Sequence, residues 1–286
     1  MTLTGVYVPL ITPFDAAGAV ALDALADLAR EVLDAGAAGL VALGTTAEPG
    51  SLTGAERRAV VDVVARVCRD RAAPLLVGAS TVEALAALRG EPAVTAALCL
   101  VPPFLRPGEA GVVAHFAALA AASPVPLVVY HVPYRTGQPL SAGALRRLAD
   151  LPGVVGVKYA VGGVDAGTVE LLGDPPSGFA VLAGDDVFVS PLLALGAHGG
   201  ILASAHVATG SFVALVDAWR AGDAARARPL GHRLAALSSA LFAEPNPTVI
   251  KAVLHARGRI PTAAVRLPLL PARPDLSLIE ASLASV

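Results

Sequence analysis

The stretch Val154-Val155-Gly156-Val157-Lys158-Tyr159-Ala160 plants an amine near the end of a short valine-rich segment. The chain contains only two lysines, Lys158 and Lys251; arginine fills nearly every other cationic position. Taking an ammonium out of water among valines costs free energy and favours the neutral amine. A neutral amine is the nucleophile that attacks a carbonyl carbon to form a Schiff base. A strand-end lysine snorkelling to solvent fits the same stretch. Two other stretches carry groups of use to such an amine. Gly44-Thr45-Thr46-Ala47-Glu48 offers hydroxyls and backbone amides suited to a small carboxylate, and reads equally as an ordinary Gly-Thr turn. Tyr130-His131-Val132-Pro133-Tyr134-Arg135-Thr136-Gly137 sets a phenol beside a rigid turn that presents a guanidinium.

The elements that must position these groups form a repeating pattern. Apolar segments at 6–10, 39–43, 74–78, 97–101, 127–131, 154–158, 180–183 and 200–203 are continuous rather than alternating, as in strands buried on both faces. Between them, 22–35, 53–69, 82–88, 109–122, 142–149, 165–172 and 187–195 show helical spacing, and an eighth helix is expected near 211–221. Thr53 and Glu56 make a capping box, while Gly36 and Gly173 stand where helix ends favour a left-handed residue. Eight such units predict a (β/α)8 TIM barrel over residues 1–222. Further helices at 226–242 and 247–256 and a Pro- and Leu-rich tail predict a helical extension, 223–286, packed on that barrel. In a barrel the reactive groups gather at the C-terminal strand ends, where Lys158, Tyr130 and Thr45 all fall.

Composition narrows the function. Of 286 residues, 55% are hydrophobic and 15% charged, with net charge -2 and no basic run that would suit nucleic acid or an anionic membrane. No apolar run approaches the roughly 18 residues of a membrane helix, and Met1 to Leu10 lacks the pattern of an export signal. Cys68 and Cys99 read as buried reduced thiols, so a cytoplasmic protein is expected. No Gly-x-Gly-x-x-Gly opens the first helix and no Gly-x-Ser-x-Gly elbow is present. His198, His206, Asp185 and Asp186 are expected on the reactive face, but no histidine pair has ligand spacing, and no metal site is expected. Asp185 and Asp186 are expected to cap the helix that follows them.

Taken in order, these stretches resemble the pyruvate-dependent class I lyases typified by dihydrodipicolinate synthase and N-acetylneuraminate lyase. The matching pieces are Gly-Thr-Thr-x-Glu at 44–48, Tyr-x-Val-Pro-x-Arg-Thr-Gly at 130–137 and Gly156-Val157-Lys158. To these add Gly184-Asp185-Asp186, Gly199-Gly200-Ile201 and Glu244-Pro245-Asn246-Pro247, with the order kept from about Gly5 to Leu270. The resemblance implies that Lys158 forms the imine, that Tyr130 orients the carbonyl and shuttles protons, and that Thr45 hydrogen-bonds that phenol. It further implies that Thr46 clamps the pyruvate carboxylate, that Ile201 lends a backbone carbonyl, that Gly184 lines the substrate, and that Arg135 holds an anionic group of the second substrate.

Several positions depart from the resemblance. Phe104 stands where the synthase branch has a tyrosine that reaches a neighbouring subunit's site. Ala47 replaces a glycine, His131 and His206 replace asparagines, Tyr159 replaces an acidic residue, and the third helix is short. These leave the pyruvate half of the site intact.

The expectation is a homo-oligomeric lyase, dimer or tetramer, that condenses or cleaves pyruvate or a 2-keto acid with an aldehyde, using no cofactor and no nucleic acid or membrane partner. A hydro-lyase dehydrating a keto-deoxy sugar acid through the same imine is a second reading. A non-catalytic paralogue that only binds a keto acid, the reading Phe104 favours, is a third.

Overall fold

The computed structural model describes residues 3–286. Eight strands, β1 (Gly5–Pro9), β2 (Gly39–Ala42), β3 (Leu75–Gly78), β4 (Val94–Leu100), β5 (Leu127–His131), β6 (Val154–Tyr159), β7 (Ala180–Ala183) and β8 (Gly199–Ile201), close into one barrel in sequence order. Every neighbouring pair is parallel, including the β1–β8 seam that closes the ring. At that seam Gly199 lies so close to Gly5 that a Cβ would fall 2.0 Å from the Gly5 carbonyl oxygen, so only glycine closes the barrel here.

The helices alternate with the strands as α1 (Leu22–Asp34), α2 (Gly54–Asp70), α3 (Val82–Ala86), α4 (Gly108–Ala122), the single turn α5 (Pro133–Thr136), α6 (Ala142–Ala149), α7 (Ala166–Gly173), α8 (Val189–Ala194) and α9 (Ala205–Arg220). After them come α10 (Ala224–Leu241), α11 (Thr248–Ala256) and α12 (Leu276–Ala284). The capping box forms as expected, with the Glu56 N–H donating to Thr53 Oγ1 and the Thr53 N–H to Glu56 Oε2. Gly36 closes α1 at φ +99°, but Gly173 is the last residue inside α7 and takes no left-handed turn. The helix α9 starts six residues before the sequence pattern suggests, because non-helical backbone at Ala208 breaks its periodicity (φ -140°, ψ 42°). The α12 helix, started by an Asp275 cap inside a Pro-rich tail, has no counterpart in the sequence reading.

Strand side chains alternate between two cores, and this alternation aims the lysine. Val157 and Tyr159 pack outward against the helices, whereas Ala160 belongs to the cluster inside the barrel with Val128, Tyr130, Leu182 and Ile201. A period of two therefore turns Lys158 inward with Tyr130. The burial of each such Val or Leu is worth about 1.5–3 kcal/mol against exposure, which keeps both strands in register.

Three of the departures lie outside this interior. His131 and Tyr159 face each other across the β5–β6 register with ring centroids 5.8 Å apart, on the helix side. Tyr159 continues to Thr168 Oγ1 at 3.2 Å, and burial pushes the His131 imidazole down to about 4. The fully buried His206 accepts the Ile11 N–H on Nε2 and places Nδ1 2.8 Å from the Ala203 carbonyl, a single neutral tautomer.

Candidate active site

The amine of Lys158 sits 4.4 Å from the ring centroid of Tyr130, its register partner on β5. The lysine is 7% exposed and the tyrosine 8%, so the snorkelling alternative does not hold. Room for the lysine comes from Gly184 at the end of β7, where a Cβ would stand 2.9 Å from Lys158 Cγ and 3.1 Å from Cε. Ile201 is fully buried at the end of β8, inside the same ring of strands.

The loop after β2 turns Thr45–Ala47 into one 3-10 turn. Neither the Thr45 nor the Thr46 amide has a backbone acceptor among the described residues, so both donors remain for an anion. Thr46 is buried and its hydroxyl accepts a 2.9 Å hydrogen bond from Asn246 Nδ2, which comes from the extension before α11. Thr45 and Tyr130 line one open cavity of about 1380 Å³ that also reaches Arg135. The Thr45 hydroxyl and the Tyr130 phenol are not hydrogen-bonded to each other among the described residues. Arg135 is exposed on the α5 turn and makes no salt bridge among the described residues, leaving its guanidinium for a ligand.

Two expectations are corrected here. Neither Asp185 nor Asp186 caps a helix. Asp185 accepts the Tyr134 hydroxyl at 2.9 Å and the Gly162 N–H at 2.7 Å, joining the loops that follow β5, β6 and β7. Asp186 turns into the interior and accepts the Ser204 N–H at 2.5 Å; burial pushes its carboxyl up to about 6, against the pull of that N–H and the Lys158 charge. Nor does His198 lie on the reactive face. It precedes β8, at the opposite barrel end, where its Nδ1 accepts the Val181 N–H and its carbonyl takes the Gly5 N–H. Among the described residues no group of three His, Cys, Asp or Glu side chains is placed to hold a metal.

The most consequential contact sequence reasoning missed is the salt bridge of Lys251, on α11, with Glu48. Its Nζ lies 2.5 Å from Glu48 Oε1 and 2.9 Å from the Ala264 carbonyl, over the Phe14 ring at 4.1 Å. Glu48 holds φ +55°, and its other oxygen accepts the Arg266 N–H at 2.9 Å. Burial depresses the Lys251 amine to about 8 even with that carboxylate beside it. The rarity of lysine in this chain was the only sequence signal for it.

A closed parallel barrel with a buried lysine beside a phenol at its carboxyl end defines a Schiff-base-forming, class I carbon-carbon lyase. The model of the dihydrodipicolinate synthetase family matches residues 2–281. The chain belongs to that family. A 4-hydroxy-tetrahydrodipicolinate synthase from Synechococcus elongatus is 38% identical over 287 aligned residues, covering 98% of this chain and 94% of the relative. A chloride-inhibited dihydrodipicolinate synthase from Acinetobacter baumannii, solved with pyruvate, superposes with a TM-score of 0.92 at 32% identity, covering 99% of each chain. A monomeric dihydrodipicolinate synthase variant superposes at 0.93 with 29% identity, covering 99% of this chain and 96% of its own. The enzyme acts on pyruvate or a 2-keto acid with an aldehyde partner, by a Schiff base.

Proposed function

We propose that Lys158 is the nucleophile of this lyase, and the observation that carries the reading is its buried amine held over the Tyr130 ring. The Nζ lone pair adds to the keto carbon of pyruvate, a proton is delivered to the carbinolamine hydroxyl, and water leaves to give the iminium. The Tyr130 phenol is the proton donor and acceptor for these steps, with Thr45 at the same cavity. The Thr45 and Thr46 amides hold the carboxylate, Asn246 fixes the Thr46 hydroxyl, and the Ile201 carbonyl and Gly184 bound the methyl end. Loss of a methyl proton gives an enamine whose carbon adds to the aldehyde, and hydrolysis of the new iminium frees the lysine. Arg135 receives an anionic group on the aldehyde substrate.

The organisation we propose is a barrel of residues 1–222 with the extension 223–286 docked on its mouth. The docking is supported by the Lys251–Glu48 and Asn246–Thr46 contacts. A homo-oligomer is supported by Phe104 and Leu105, which are 87% and 81% exposed at the tip of the loop after β4. Phe104 also holds φ +68°, a strained conformation worth about 1–3 kcal/mol that a second copy would offset by covering the ring. A cytoplasmic location agrees with two buried free thiols. No helix among the described residues is long and apolar enough to cross a membrane.

The test is intact-mass spectrometry after incubation with pyruvate and borohydride. A single pyruvate adduct on the wild type, absent from Lys158→Ala, supports the reading; a folded wild type without an adduct would overturn it.

A further inference from the structure

Across the mouth from Thr45, three loops are tied by one carboxylate. Asp185 immediately follows Gly184, the residue against which the Lys158 side chain lies, so it stands on the rim just outside the amine. Its Oδ1 accepts the Tyr134 hydroxyl at 2.9 Å and its Oδ2 the Gly162 N–H at 2.7 Å. Tyr134 precedes Arg135 on the α5 turn, and its ring packs over Gly162, whose missing Cβ would be 3.7 Å from Cδ1. Burial and then the Asp185 charge raise the Tyr134 phenol above its ordinary range, so it stays a proton donor to the carboxylate at neutral pH.

A rim carboxylate is an acceptor that the hydroxyls of a polyol would seek. Here one donor on each oxygen already comes from the protein, Tyr134 through its hydroxyl and Gly162 through its N–H. We infer that Tyr134, by latching onto Asp185, is a specificity-determining residue that favours anionic aldehydes without hydroxyls over polyhydroxy aldehydes. The inference rests on the imine reading above. Arg135, without a salt bridge among the described residues and next to the latch, remains the contact for the anionic group.

The experiment compares kcat/KM, with pyruvate as the donor, for succinic semialdehyde and for erythrose 4-phosphate. It uses the wild type, Tyr134→Phe and the double variant Tyr134→Phe/Asp185→Ala. The wild type is expected to prefer the semialdehyde. Removing the one hydroxyl frees a carboxylate acceptor and moves the ratio toward erythrose 4-phosphate by roughly tenfold. The double variant, lacking the carboxylate, is expected to lose that gain. A wild type without preference, an unmoved ratio in Tyr134→Phe, or a gain that persists in the double variant overturns the inference. Borohydride trapping of pyruvate is run on each protein in parallel. A wild type that traps no pyruvate sinks the imine reading and the latch with it, whereas trapping with an unmoved ratio sinks the latch alone.

Discussion

Lys251 and Glu48, 203 residues apart, form a buried ion pair at 2.5 Å that fastens the extension to the loop carrying Thr45 and Thr46. The two side chains are 0% and 3% exposed, so neither charge has water to fall back on. Glu48 itself sits at positive φ, directly after the turn that presents the two threonine amides.

Removing one partner strands the other. Lys251→Met is expected to destabilise the fold by about 3–5 kcal/mol, and Lys251→Met/Glu48→Gln to recover part of that loss. Urea denaturation of the three proteins checks this; a single variant as stable as the wild type would contradict it.

Gly184 gives Lys158 its place. A methyl group in Gly184→Ala would press on Lys158 Cγ and Cε from 2.9 and 3.1 Å. Displacing the proposed nucleophile by about 1 Å costs on the order of 10²-fold in rate, so imine trapping is expected to slow by up to that factor while circular dichroism stays that of the wild type.

Asn246 makes its only side-chain hydrogen bond among the described residues to the Thr46 hydroxyl, with its own Oδ1 left without a partner. Asn246→Ala is expected to raise KM for pyruvate roughly tenfold and change kcat less, since one hydrogen bond to the proposed carboxylate clamp is lost. Steady-state kinetics with varied pyruvate decides it; a loss confined to kcat would place Asn246 in the chemistry instead.

The buried His206 is held down to about 4 by burial, below its ordinary 6.5. The unfolded chain therefore binds the extra proton first, and the stability this group confers is complete above pH 6.5 and lost as pH falls toward 4, by roughly 3 kcal/mol. Asp186, pushed up to about 6, acts in the opposite sense over the window above its ordinary 3.8. The readout is therefore the difference between wild type and His206→Gln in urea midpoints from pH 7 to pH 4, expected to narrow as the pH falls.

Phe104 at the exposed loop tip gives a prediction for assembly. The homo-oligomer proposed above predicts that Phe104→Glu shifts sedimentation toward the monomer; a wild type that already sediments as a monomer, or a variant that sediments like an oligomeric wild type, would contradict it.

The sequence alone determined the eight-unit period, because strands buried on both faces must be continuously apolar and their helices must show a buried stripe. It also marked Lys158, since a lysine in a valine strand stands out against an arginine-rich background. Tertiary structure decided what has no period. His131 and Tyr159, each a departure when read singly, prove to pack together behind the barrel wall. Asp185 reads as a helix cap in sequence because a cap is local, yet it closes a latch with Tyr134, 51 residues away. Asp186 and Ser204, and Lys251 and Glu48, meet only when the ring closes and the extension folds back on it. Local propensity fixes an element's type from its neighbours, whereas a buried polar partner is fixed by which chain segments share the low-dielectric space left once all the elements have packed.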